Sequence, residues 1–233
     1  MTEVPAPIAL LALPGLGLGP ESWRPTLGYL TGGGTAYVRV SPGYGEPAPD
    51  GQDLSPRALA AGILARVPAT APRFLVLGHS AGSQVAAHVA ALDPSRVAGL
   101  VLVGPSTDVR AATWPRLVKR WLPTSWREPK RQVPTLVRQY ARSTLPAMVR
   151  SIEAARQDSI LETLRPVTVP VLVIRGPHDH ISPADWAVAV AAEGGPGSRA
   201  VTLSAGAHMV PFTHGRLVAA AVSDFLSDLD ALT

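Results

Sequence analysis

The sequence predicts an α/β domain built on a parallel, doubly wound sheet, and three observations carry that expectation. Six short apolar runs recur along the chain, at residues 8–13, 36–40, 74–77, 97–103, 171–174 and 200–203. They lack polar alternation, as strands covered on both faces do. Helical patterns separate them, and strand–helix alternation of this kind builds a parallel sheet with helices on its two sides. The 233 residues, 46% hydrophobic and 16% charged, fit one medium domain and exclude disorder as a description of the whole chain.

Each element has a local reason. The run at 8–13 leads into Pro14-Gly15-Leu16-Gly17, a turn after the first strand. Ser55-Pro56 reads as N-cap and first helical residue, with Leu59, Ile63, Leu64 and Val67 following on one face. The run at 74–77 passes through a glycine-flanked turn into a helical stretch. At the end of the chain, Leu217, Val218, Ala221, Val222, Phe225, Leu226 and Leu229 keep helical spacing and predict a helix docked on the sheet. The clusters Gly32-Gly33-Gly34 and Gly194-Gly195-Pro196-Gly197 predict surface turns.

Residues 106–165 break the rhythm. They hold no convincing strand, carry Trp114, Trp121 and Trp126, and are divided into short helices by Pro115, Pro123, Pro129, Pro134 and Pro146. This stretch reads as a helical insertion, with residues 1–105 and 166–233 forming the core. Of the chain's net charge of +4, the insertion concentrates the basic side, with 12 Lys/Arg against 5 Asp/Glu between Pro105 and Arg165. A solvated arginine-rich surface explains that balance, and no helix-turn-helix, zinc-finger or RNP-like pattern points to nucleic acid. The absence of cysteine excludes a disulfide framework and a thiolate nucleophile. No apolar run is long enough to span a bilayer. The first residues carry neither a basic n-region nor a cleavage signature, so a cytoplasmic setting is expected, without membrane attachment.

The segment that carries chemistry is Gly78-His79-Ser80-Ala81-Gly82, a G-x-S-x-G between an apolar strand and a helix. That context makes it a nucleophile elbow: a turn tight enough to force strained angles on Ser80, with room supplied by Gly78 and Gly82. The chain resembles the α/β-hydrolase family here, and the likeness runs from Ile8 to about Leu229. Pro42-Gly43-Tyr44-Gly45 resembles the family's P-G-x-G turn. Gly176-Pro177-His178-Asp179 looks like the G-x-x-D that supplies the catalytic acid, and Ala205-Gly206-Ala207-His208 occupies the histidine loop. The resemblance implies Ser80 as nucleophile, His208 as base, Asp179 as acid, and an oxyanion hole from the backbone N–H groups of Leu16 and Ala81. It also implies six parallel strands, the family's two leading strands being absent.

Rival readings attach to several of these positions. Asp108, just past the run at 97–103, stands where some relatives place the acid, and His214 is an alternative base. His79 and His88 read as structural. His178-Asp179-His180 has metal-like spacing but lacks the wider ligand set of a metallohydrolase, so no metal and no cofactor are expected. The chain also departs from the family pattern: Pro14 replaces the oxyanion-loop histidine, Val40 and Pro47 stand where relatives often carry Asp and Ser, and Ala207 replaces a glycine. None of these removes a catalytic side chain.

In this resemblance the insertion becomes a helical lid. Trp114, Trp121, Trp126 and Met148 within it, and Trp23 beside the oxyanion loop, are the candidate pocket walls; packing of the lid and of the first helix explains them equally well. The implied activity is hydrolysis of a carboxylic ester or lactone through an acyl-enzyme on Ser80, with a small-molecule substrate. Relatives with the same triad cleave carbon–carbon bonds, thioesters or amides, and a slow-turnover accessory protein could keep the same fold.

Overall fold

The computed structural model describes residues 8–30, 35–68 and 71–231. Gly32-Gly33-Gly34 lies outside the described residues. Six strands form a single sheet: β1 (Ala9–Leu13), β2 (Ala36–Val38), β3 (Phe74–His79), β4 (Val97–Val103), β5 (Val171–Arg175) and β6 (Arg199–Thr202). All pairings are parallel, in the order β2-β1-β3-β4-β5-β6. Among the described residues, ten α-helices accompany them: α1 (Arg24–Leu27), α2 (Pro56–Ala65), α3 (Gly82–Leu92), α4 (Trp114–Trp126), α5 (Val133–Tyr140), α6 (Leu145–Gln157), α7 (Ile160–Leu164), α8 (Ala184–Ala192), α9 (Val210–Thr213) and α10 (Gly215–Ala231).

The absence of polar alternation in the strands follows from two cores, one on each face of the sheet. Leu11, Val76, Leu100, Leu102 and Val173 point to one side, where they meet α2, α3, α7 and α8. Their neighbours Leu10, Leu75, Leu77, Val101, Leu172 and Ile174 point to the other, against Val218, Val222 and Phe225 of α10. Successive strand residues face opposite ways, so the central strands are apolar at almost every position. Ser55 caps α2 as its sequence predicts, its Oγ accepting from the Ala58 N–H at 3.3 Å. None of the described helices is long and apolar enough to cross a membrane.

Between β4 and β5 the chain makes no strand. Helices α4, α5 and α6 form a cap, while α7 returns to the core, burying Ile160 and Leu164 in the same apolar cluster as α3. Ala155, near the end of α6, is buried in that cluster as well. The Gly194–Gly197 cluster is a loop between α8 and β6, with Gly197 at φ 86°.

Candidate active site

The turn between β3 and α3 is the tightest in the sheet. Ser80 is the one non-glycine residue with positive φ among the described residues, at 54°. A side chain rarely adopts that conformation unless the surroundings impose it. Two glycines show what imposes it here. A Cβ on Gly78 would sit 2.6 Å from the Gly82 carbonyl oxygen, and one on Gly82 would overlap the carbonyl oxygens of Leu13 and Pro14. The strand, the helix and the loop after β1 thus close in on one another, and Ser80 is turned out at the carboxyl edge of the sheet. Its N–H donates to the Val103 carbonyl on β4 at 2.9 Å, which anchors the turn.

Asp179 and His208 come from the loops after β5 and β6. His208 Nδ1 lies 2.8 Å from Asp179 Oδ2. An ionised carboxylate only accepts, so Nδ1 carries the proton and Nε2 keeps its lone pair. The other oxygen of Asp179, Oδ1, accepts from the N–H groups of Ile181 at 2.9 Å and Ser182 at 3.0 Å. Arg175, at the end of β5, braces the same loop by donating to the carbonyl oxygens of Ser182 and Asp179 at 2.7 and 2.8 Å.

These contacts set the charges. Burial would raise the Asp179 carboxyl, but the imidazole beside it, the Ser182 N–H and Arg175 outweigh burial and hold it below the usual carboxylate range. Burial would likewise depress His208; the Asp179 carboxylate, and behind it the charge of Glu128, reverse that and raise the imidazole above its ordinary value. His79 has no such partner. Burial, with His208 nearby, pushes it down to about 3, so it stays neutral, its Nε2 donating to the His208 carbonyl at 3.0 Å.

Ser80, Ala81, Leu16 and His208 open onto one cavity of about 320 Å³. Its walls are mostly apolar and come largely from the cap: Trp114, Leu117, Val118 and Trp121 of α4, Tyr140 of α5 and Ile152 of α6. Among the described residues, the N–H groups of Leu16 and Ala81 donate to no protein acceptor. Two arginines reach the cavity, and both are already paired: Arg120 donates to Asp108 at 2.6 Å, and Arg156 is held by Glu153.

Several residues expected at the site lie elsewhere. Trp23 is fully buried in the core on the α10 side of the sheet, so nearness in sequence to the β1 loop does not bring it to the cavity. Trp126 is 90% exposed at the end of α4. Trp114, Val118 and Trp121 share a face by their spacing, and a residue five positions past Trp121 rotates off it. Met148 is not a cavity wall; its Cε packs beside Gly17.

The rival residues have other partners. Asp108 lines the cavity but is engaged by Arg110 and Arg120, whose hydrogen bonds overcome burial and hold it ionised. His214 contacts the Thr213 hydroxyl, and His88 pairs with Asp158 at 2.7 Å. Among the described residues, no group of three or more metal-ligating side chains includes His178 and His180. Thr124, Glu128, Gln139 and Arg175, which the sequence does not single out, all touch the loops that carry the site.

The comparisons bear on the fold and the family. The model of the alpha/beta hydrolase family matches residues 10–221. No curated protein sequence matches. Among solved structures, a hydrolase from Oleispira antarctica superposes with a TM-score of 0.79 at 15% identity, covering 95% of this chain and 92% of that one. The enol-lactonase from Burkholderia xenovorans gives 0.74 at 20%, covering 95% and 92%. A thermophilic esterase from Thermogutta terrifontis gives 0.75 at 21%, covering 97% and 91%. With the strand order, the strained serine after β3 and a match spanning nearly the whole sheet, the chain belongs to the alpha/beta hydrolase family.

Proposed function

We propose that this chain is a serine hydrolase that cleaves a carboxylic ester, a lactone being the cyclic case, through an acyl-enzyme on Ser80. The observation that carries the reading is that a strained serine and a carboxylate-bound imidazole open onto the same apolar cavity. Ser80 Oγ attacks the substrate carbonyl as His208 Nε2 takes its proton. The carbonyl oxygen, now an oxyanion, is received by the N–H groups of Leu16 and Ala81, each such donor stabilising the transition state by about 3–4 kcal/mol. Asp179 holds the imidazole in the required tautomer and stabilises the imidazolium. His208 then returns the proton to the departing alkoxide, and a water repeats the sequence to free the acid and restore Ser80.

The cavity also narrows the acyl group. An apolar lining favours an aliphatic or aromatic acyl chain. Because Arg120 and Arg156 are already neutralised by Asp108 and Glu153, a neutral acyl group fits better than one ending in a second carboxylate. The esterase and the enol-lactonase among the similar structures are named for chemistry of this kind.

The test is direct. The protein should react with a fluorophosphonate probe and release p-nitrophenol from neutral acyl esters, and Ser80→Ala should abolish both. Full turnover in Ser80→Ala would refute nucleophilic catalysis at that residue.

A further inference from the structure

The cap does more than roof the cavity. Its side-chain oxygens accept hydrogen bonds from backbone N–H groups of the core loops around the site. Gln139 Oε1 accepts from Gly19 at 2.8 Å, Ser143 Oγ from Gly45 at 3.0 Å and Thr124 Oγ1 from His180 at 3.0 Å. Glu128, in the loop after α4, makes the closest of these contacts. Its Oε1 accepts from both the His208 and the Met209 N–H groups, each at 2.7 Å. Its Oε2 accepts from the Gln132 amide at 3.0 Å, which fixes the carboxylate from within the cap.

His208 is therefore gripped from two sides. Glu128 takes its N–H, and His79 donates to its carbonyl. The imidazole between them is aligned by Asp179. A backbone held at both ends leaves the ring little freedom, and charge-assisted bonds to N–H groups are the stronger kind.

We propose that Glu128 is a positioning residue for His208, so that docking of the cap sets the base in place for attack by Ser80. The role rests on the serine-hydrolase reading above. Glu128 acts through the backbone of the histidine loop and touches no reacting atom. With the cap lifted, the two N–H groups lose their acceptor and the loop loosens, which couples closure over substrate to competence of the base.

The charged and titratable groups facing the imidazole are Asp179, Glu128 and the neutral His79. Removing the charge at position 128 takes away part of what keeps the imidazolium favourable. The pKa of His208 should then fall and the acid limb of kcat/KM should move to lower pH. Glu128→Gln keeps an acceptor oxygen for the two N–H groups and loses the charge, with the Gln132 amide turning its unpartnered oxygen towards the new NH2 group; Glu128→Ala loses both acceptor and charge.

Steady-state kinetics on a p-nitrophenyl ester, with fluorophosphonate labelling in parallel, separates the outcomes. Glu128→Ala should lose about 10- to 100-fold in kcat with KM changed far less. Glu128→Gln should recover most of that loss above neutral pH, with its acid limb displaced downward. If both variants keep the wild-type kcat and acid limb, the positioning role is wrong. If Glu128→Gln folds yet is as impaired as Glu128→Ala at every pH, the two-donor clasp is wrong. If the wild-type chain is not labelled at all, the hydrolase reading fails first and the positioning role falls with it.

Discussion

Replacing Asp179 by Asn is the perturbation whose outcome the geometry constrains most tightly. Asn matches Asp in shape, so packing is preserved and only the hydrogen-bonding pattern changes. In one orientation the amide oxygen stays on the Ile181 and Ser182 N–H groups, and the NH2 group faces His208 Nδ1. Nδ1 must then accept, the proton moves to Nε2, and the lone pair that would take the Ser80 proton is gone. In the flipped orientation the imidazole keeps its tautomer, but the NH2 group confronts the buried Ser182 N–H and the part-buried Ile181 N–H. Leaving each donor unsatisfied costs about 1–3 kcal/mol, roughly 2–6 kcal/mol for the pair. The wrong tautomer is therefore favoured by about that margin, and at about 1.4 kcal/mol per tenfold, kcat should fall by roughly 30-fold to 20,000-fold. Burst and steady-state release of p-nitrophenol would measure the loss, with KM and the folded circular-dichroism spectrum unchanged. Activity of Asp179→Asn within threefold of wild type would show that the two loop donors do not dictate the amide orientation and that the charge at position 179 is dispensable.

Two further expectations follow from the same site. The proposed base must be neutral to act, and His208 has its pKa raised by Asp179 and Glu128 despite burial, so kcat/KM should fall as pH drops through a value above that of an ordinary histidine, as a pH–rate profile would record. Trp121→Ala should widen the cavity and shift preference towards bulkier acyl groups by about 10- to 200-fold in kcat/KM, the 1–3 kcal/mol expected of a pocket wall, whereas Trp126→Ala should leave the acyl profile as it is; equal effects of the two would contradict the cavity described.

Much of the architecture was legible because each feature had a local cause. Strands buried on both faces must be apolar at successive positions, so the runs at 74–77 and 97–103 announce themselves. The tight turn at Ser80 needs glycine on both flanks, and that requirement is written in the chain as Gly78 and Gly82. Ser80, Asp179 and His208 were each marked by a motif at a strand end; that two of them form a hydrogen-bonded pair is something only the fold displays. What escaped the sequence depends on orientation between elements. The rotation of α4 decides that Trp121 enters the cavity while Trp126 faces solvent, and composition carries no record of that angle. Trp23 is close to the β1 loop in sequence, yet the turn of α1 sends its side chain to the other face of the sheet. Glu128 left one faint trace: it is the sole acidic residue between Asp108 and Glu153 in a strongly basic stretch.

The cap leaves the sheet after β4 and returns at β5, and these two strands are hydrogen-bonded neighbours, with Val103 opposite Ile174. Its two attachment points are therefore adjacent, and the entropy of closing such a loop grows only slowly with its length. A different cap of another size can be spliced between the same strands without rethreading the barrel-like cradle of loops beneath it. Evolution can thus retool what this hydrolase admits while the machinery at the sheet edge is inherited intact, provided each new cap brings acceptors for the donors it uncovers.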